Sequence, residues 1–253
     1  MVNQAARRER ILTELGQSSV IYVHEIASRI GCSLSTARRD LDTLASLGLL
    51  QRSRGGAIAT DPASARSARL STDHEVRAAE KLRIGRAAAE LVTSGDSIAV
   101  GGGSTTCALV RALAGKQLSV VTNALGVVLE ALPLTGLRVV LLAGEVLTTR
   151  EIVGPLTEET LARLHIDTVF MSVNGVSVDK GGTVMSHLDA QVLQAMAGRA
   201  RRVVVLADHS KIGRAALTQI LPITAIHTLV TDATAEDPAL VAIRDAGVQV
   251  ILV

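Results

Sequence analysis

The chain of 253 residues has no tryptophan, one tyrosine and one phenylalanine. Base stacking on aromatic side chains, the usual grip of single-stranded nucleic-acid binders, is therefore nearly excluded. With 48% of residues apolar, the interior must be built from Ala, Val, Leu and Ile. Two cysteines, Cys32 and Cys107, stand far apart without a partner motif, which argues against a disulfide framework and against a zinc site. There is no apolar run of about 18 residues to suggest a membrane span, and "MVNQAARRER" lacks the apolar stretch of a secretion signal. The expectation is a soluble, cytoplasmic protein without membrane contact.

Charge is unevenly distributed. Residues 1–60 hold eight arginines and no lysine against five acids, whereas the remainder is near neutral. A small basic segment on a near-neutral body suits a nucleic-acid module attached to something else. Apolar periodicity predicts helices over 5–16, over "VHEIASRIG" ending at Gly31, and from Ser33 as cap through "LSTARRDLDTLAS", stopped by Gly48. In the third helix Leu34, Ala37, Leu41, Leu44 and Leu47 are expected to form the inward face. "LLQRSRGGAIA" reads as a hairpin around Gly55-Gly56. Three short helices and a hairpin outline a winged helix-turn-helix over 1–58. The polar stretch 59–75 reads as a linker.

From 76 to 253 short apolar strand candidates alternate with helices. They are "SIAVG", then 118–122, 138–143, 167–173, 202–207, 227–231 and 248–253. This pattern predicts an α/β domain with a largely parallel, doubly wound sheet covered on both faces.

Two groups of residues carry candidate chemistry. On the third helix Ser33, Ser35, Thr36, Arg38 and Arg39 are left beside the solvent face, and Arg52 and Arg54 lie in the hairpin. Hydroxyls reach phosphate oxygens, and arginine forks to phosphate or to a guanine edge, so double-stranded DNA is the expected partner. Asp40 could hold a neighbouring arginine or repel a wrong partner. In the second region "GGGSTT", 101–106, precedes a helix, and exposed amides at a helix start favour an anion. It is neither a P-loop nor a full dinucleotide fingerprint. Lys211 offers a compact positive charge with Asp208 as its expected orienter, and Asn123 and Asn174 can read hydroxyls. His187 and Asp189 alone make a poor metal site, so no metal or cofactor is expected. His209 is expected to support the turn around Lys211 rather than to act as a base.

The segment from "RRERILTELG" through "LQRSRGGA" resembles the DNA-binding domain of the DeoR family of bacterial transcriptional regulators. The matching residues are Ser33, Thr36, Arg38–Leu41, Gly48–Leu50, Arg52 and Gly55–Ala57. Ala37 stands where the family usually has Ile, and Arg54 where it has His. The resemblance runs on to the C-terminus through "GGGSTT", "TN" at 122–123, Gly144, "VGP" at 153–155, "NG" at 174–175 and "LADHSKIGR" at 206–214. It implies a second domain like ribose-5-phosphate isomerase that senses a phosphorylated sugar or a related anionic metabolite. The effector residues carried over are Gly102, Gly103, Ser104, Thr105, Thr106, Asn123, Gly144, Asn174, Asp189, Asp208 and Lys211. Gly101 and Ser104 stand where the family commonly has Asp and Thr, and Asp189 where it has Glu. The resemblance implies a ligand-responsive regulator, a repressor of a carbohydrate-catabolism operon acting as a homodimer or homotetramer. A retained sugar-phosphate isomerase or hydrolase activity is the alternative, but no carboxylate pair is evident in the sequence to serve it.

Overall fold

The computed structural model describes residues 4–18, 20–47, 49–58 and 77–253. The chain divides into two compact units, Met1–Arg77 and Ala78–Val253. Gly48 and the stretch 59–75 read as a linker lie outside the described residues.

In the first unit the three expected helices form as α1 (Gln4–Ser18), α2 (Val23–Ile30) and α3 (Leu34–Ser46). Gly31 ends α2 in the left-handed conformation at φ 73°, where a Cβ would be strained. Ser33 caps α3 by accepting from the Thr36 amide. The expected hairpin is β2 (Gln51–Ser53) and β3 (Gly56–Ile58). A third strand that the periodicity did not announce, β1 (Val20–Tyr22), pairs antiparallel with β3. At three residues it is too short to show alternation. Ile11, Ile26, Leu41, Leu44 and Leu49 meet in the core of this unit.

The inward face of α3 is narrower than expected. Ala37, Leu41 and Leu44 are buried, but Leu34 is 50% exposed and Leu47 is 47% exposed. The two end residues of the apolar row overhang the core. Asp40, on the same helix, is buried as well.

The second unit is a seven-stranded parallel sheet. Its strands are β4 (Ser97–Val100), β5 (Leu118–Thr122), β6 (Leu137–Leu141), β9 (Ile166–Ser172), β12 (Ala200–Leu206), β14 (Thr228–Thr231) and β15 (Gln249–Leu252). In space the order is β15-β14-β12-β9-β4-β5-β6. The strands alternate their apolar residues between two cores. Ile98, Val100, Phe170, Val204 and Leu206 face one side, with Ile84, Leu109 and Val127. Ala99, Val169, Met171, Val203 and Val205 face the other, with Leu193, Met196, Leu240 and Ile243. Helices α4 (Ala78–Ala89), α5 (Ser104–Ala112) and α6 (Leu125–Ala131) cover the first face. Helices α7 (Pro155–Leu161), α8 (His187–Ala197) and α9 (Pro238–Asp245) cover the second. Burial on both faces explains why these strands read as continuous apolar runs.

Two smaller sheets were not foreseen. One pairs β7 (Glu145–Val146) with β8 (Ile152–Val153); the other orders β10 (Gly175–Ser177), β11 (Gly181–Val184) and β13 (Thr218–Leu221). Their short segments, with glycines in β10 and β11, carry no strand periodicity. Strand order reverses beside β4: from it the chain runs outward through β5 and β6, then returns to β9 and runs the other way. In open α/β sheets ligands gather at such a reversal, outside the carboxyl ends of the strands.

Candidate functional site

Helix α3 presents Arg38 and Arg39 to solvent, and Arg54 lies exposed in the turn between β2 and β3. The hydroxyls at the start of α3 are linked to one another. Ser33 Oγ lies 2.8 Å from both Ser35 Oγ and Thr36 Oγ1. Asp40 does not orient Arg38 or Arg39. Its carboxylate takes Arg7 Nε and Arg8 Nε from α1 and is only 1% exposed. The second of these contacts is 3.2 Å, and Arg8 also donates to Thr43 Oγ1. Arg52 is partly committed as well, to Asp42 at 2.9 Å and to the Gly56 carbonyl at 2.7 Å.

The glycine loop follows β4 at the reversal point. Gly103 has φ 135° and precedes α5, and a Cβ there would lie 2.8 Å from Ser172 Cβ at the end of β9. The first intrahelical bond runs from the Cys107 amide to the Gly103 carbonyl at 3.0 Å. The amides of Ser104, Thr105 and Thr106 thus stand ahead of the helix's own ladder, where an anion is favoured. The threonine side chains do less than the sequence suggests. Both are buried, and Thr106 Oγ1 donates to the Gly103 carbonyl at 2.8 Å, bracing the loop. Gly101 packs under Leu193, whose Cδ2 would be 2.6 Å from any Cβ at 101, so the space for a side chain there is filled. Burial pushes the Cys107 thiol up to about 12, leaving it a core residue.

Beside the loop lies a polar cluster. Asn123, fully buried after β5, donates through Nδ2 to the Ile152 carbonyl at 3.2 Å and to Asp189 Oδ1 at 3.4 Å. Asp189 sits in the first turn of α8, whose cap Ser186 accepts from the Asp189 amide. Burial raises the Asp189 carboxyl above its ordinary range, and the Asn123 bond opposes this. The sequence reading missed Glu151. Its Oε1 would lie 2.5 Å from a Cβ on Gly102, so the carboxyl rests against the loop where that glycine leaves room. An isolated bridge to Ala124 fixes its backbone. Burial, and then the charge of Asp189, raise Glu151 to about 7 against a hydrogen bond from Thr149. A carboxylate pair is therefore present after all. The only sequence signal would have been an acid just ahead of the "VGP" match.

Gly144, Asn174 and the turn after β12 have structural duties as well. A Cβ on Gly144 would meet the Val153 carbonyl at 2.4 Å, so that glycine permits close chain crossing. Asn174 Oδ1 accepts from the Met185 amide at 3.1 Å. Asp208, 3% exposed, caps the 3-10 turn His209–Lys211 through the Ser210 amide and hydroxyl. The Lys211 amide returns to the Asp208 carbonyl at 2.9 Å. His209 is held by Asp232, from its amide at 2.7 Å and its Nδ1 at 3.0 Å. That bonding fits the turn-supporting role expected of it. The turn abuts β10, since the Gly213 amide donates to the Val176 carbonyl. The structure thus brings Gly102 and Gly103 together with Asn123, Glu151 and Asp189. Lys211, Asp208 and Asn174 form a second group at the ends of β12 and β9. Among the described residues no three His, Cys, Asp or Glu side chains are grouped to hold a metal, and no helix is long and apolar enough to cross a membrane.

A winged helix-turn-helix with exposed arginines, joined in one chain to an α/β domain with a polar site at its strand reversal, is the build of a ligand-responsive DNA-binding regulator. The profile of the DeoR-like helix-turn-helix domain matches residues 7–63, and that of the DeoR C terminal sensor domain matches residues 76–233. The chain belongs to the DeoR family of transcriptional regulators. The lactose phosphotransferase system repressor of Streptococcus mutans serotype c is 34% identical over 236 residues, 91% of this chain and 93% of that protein. The transcriptional repressor GlcR of Bacillus subtilis is 32% identical over 233 residues, 90% of this chain and 88% of its own length. Among solved structures, ribose 5-phosphate isomerase A of Methanocaldococcus jannaschii aligns over 54% of this chain and 53% of that one, with 18% identity and a TM-score of 0.38.

Proposed function

We propose that this regulator represses a carbohydrate-catabolism operon and is released from its operator by a phosphorylated sugar or a related anionic metabolite. Support for the DNA half comes from α3, where Asp40 is occupied by α1 and Arg38 and Arg39 stay exposed. The observation that carries the effector half is the loop at the reversal point, where Gly103 at φ 135° leads into a helix whose first amides stand ahead of its own ladder. Lys211 supplies the positive charge. Both relatives are transcriptional repressors, one of them of a lactose phosphotransferase system, and this supports the reading. One winged helix buries little DNA, so operator binding is by a homodimer or homotetramer.

An operator titration tests this, run with and without a panel of sugar phosphates on wild type and Lys211→Ala. Wild type releases DNA on adding an effector, without consuming it. The variant binds operator normally and needs about ten- to a hundredfold more effector, the loss of one charge-assisted contact. Release at the wild-type effector concentration would remove Lys211 from the site, and turnover of the sugar phosphate would restore the enzymatic alternative.

A further inference from the structure

The anion-favouring loop has an acidic neighbour. Glu151 lies against Gly102, Asp189 lies against Asn123, and Asn123 is hydrogen-bonded to the carbonyl of Ile152, the residue after Glu151. Asn123 Oδ1, in a fully buried side chain, has no hydrogen-bond partner among the described residues. The cluster thus offers acceptors in excess: an amide oxygen and two carboxyl groups. Burial acts on both carboxyls, Asn123 on Asp189, and Thr149, the charge of Asp189 and the backbone on Glu151; among the described residues no lysine or arginine stands among these influences. Burial raises both, and the charge of Asp189 raises Glu151 further. A phosphate bound at the loop would add negative charge beside them. A ligand that carries its own positive charge a short distance from its phosphate removes both difficulties, because an ammonium has three donors and no acceptor. A hydroxyl supplies one donor and leaves the charge unbalanced.

We propose that Asn123 Oδ1, Asp189 and Glu151 form an ammonium-reading subsite, so that the effector is an amine-bearing sugar phosphate rather than its all-hydroxyl counterpart. This rests on the phosphorylated-effector reading above. Glu151 is the specificity-determining residue, since Asp189 already spends one oxygen on Asn123 Nδ2.

The test is calorimetric titration of the full chain with matched pairs: glucosamine 6-phosphate against glucose 6-phosphate, and galactosamine 6-phosphate against galactose 6-phosphate, with inorganic phosphate as a third arm. Within at least one pair the amine should bind tenfold or more tightly. Glu151→Gln, which keeps size and polarity, should erase that preference while leaving inorganic phosphate bound as well or better. Asp189→Asn should reduce the preference too, a check should one variant fold poorly. Equal or weaker binding of the amine in both pairs overturns the inference but leaves the effector reading intact. If no sugar phosphate and no phosphate binds, the effector reading itself falls and the subsite with it. An amine preference that survives in Glu151→Gln removes Glu151 from the subsite and also overturns the proposal.

Discussion

The two units treat buried charge in opposite ways. In the winged helix Asp40 is buried with two arginines on it, so its charge is balanced inside the unit. In the α/β unit Glu151 and Asp189 are largely buried, burial raises both carboxyls, and among the described residues no lysine or arginine stands among the influences on them. A balanced buried charge serves architecture: it ties α1 to α3 and frees the other face of α3. An unbalanced one is a cost to the empty fold that a ligand can relieve. Under the proposed reading this contrast separates a charge held for folding from charges held for a ligand, and each prediction below presses on one side of it.

The largest expected effect is at Asp40. Asp40→Ala leaves Arg7 and Arg8 without their buried partner, and such a loss costs about 3 kcal/mol or more. Urea unfolding should show the winged helix melting early and operator binding lost, while the α/β unit unfolds as in wild type. A first transition left in place would mean that the Arg7–Asp40–Arg8 contact contributes little.

Next is Glu151, through pH. Its folded value of about 7 lies above the ordinary 4.5, so between these the folded chain keeps a proton that the unfolded chain has released. Stability from this group is full below pH 4.5, declines as pH rises to 7, and is level above. At about 1.4 kcal/mol per unit the loss reaches up to about 3 kcal/mol. Glu151→Gln should therefore be more stable than wild type at pH 8, with a flatter profile between pH 5 and 7. Parallel profiles for the two proteins would place the carboxyl in water.

The contrast also marks what the sequence can reveal. All seven strands of the parallel sheet are legible because burial on both faces makes each a short apolar run between helices. The helices of the winged unit are legible from their caps and apolar spacing. β1, β7 and β8, of only two or three residues, escape because alternation needs length. Glycine-loop chemistry is visible at 101–106, yet Glu151 is not. Its place against Gly102 arises from the bridge between 124 and 151, a long-range pairing without local pattern. Asp40 misleads for the same reason: its partners lie 32 and 33 residues away.

A middle-sized effect is expected on the DNA face. Arg39→Ala should weaken specific operator binding by about 1–3 kcal/mol if it reads a base, or flatten the salt dependence if it meets phosphate. Arg38→Ala is the companion. Neither should alter stability, since both side chains are exposed. A band-shift titration at several salt concentrations checks this, and unchanged affinity and slope in both variants would take α3 out of the interface.

The smallest effect is at the brace of the glycine loop. Thr106 Oγ1 donates to the Gly103 carbonyl, which also accepts from the Cys107 amide. Thr106→Val keeps the volume and removes one neutral hydrogen bond but leaves that carbonyl a partner, so stability should fall by only about 1 kcal/mol. Its consequence for binding is more telling. The side chain is fully buried with its hydroxyl on the Gly103 carbonyl, and the substitution leaves the backbone amide unchanged, so any loss of effector affinity must come from a loosened loop. Effector affinity should drop severalfold while operator affinity stays at the wild-type level. Comparing Thr106→Val with Lys211→Ala in one effector titration separates bracing from direct contact. If Thr106→Val leaves effector affinity untouched, the Gly103 backbone holds its shape without the hydroxyl, and the anion site needs only the glycines and the helix amides.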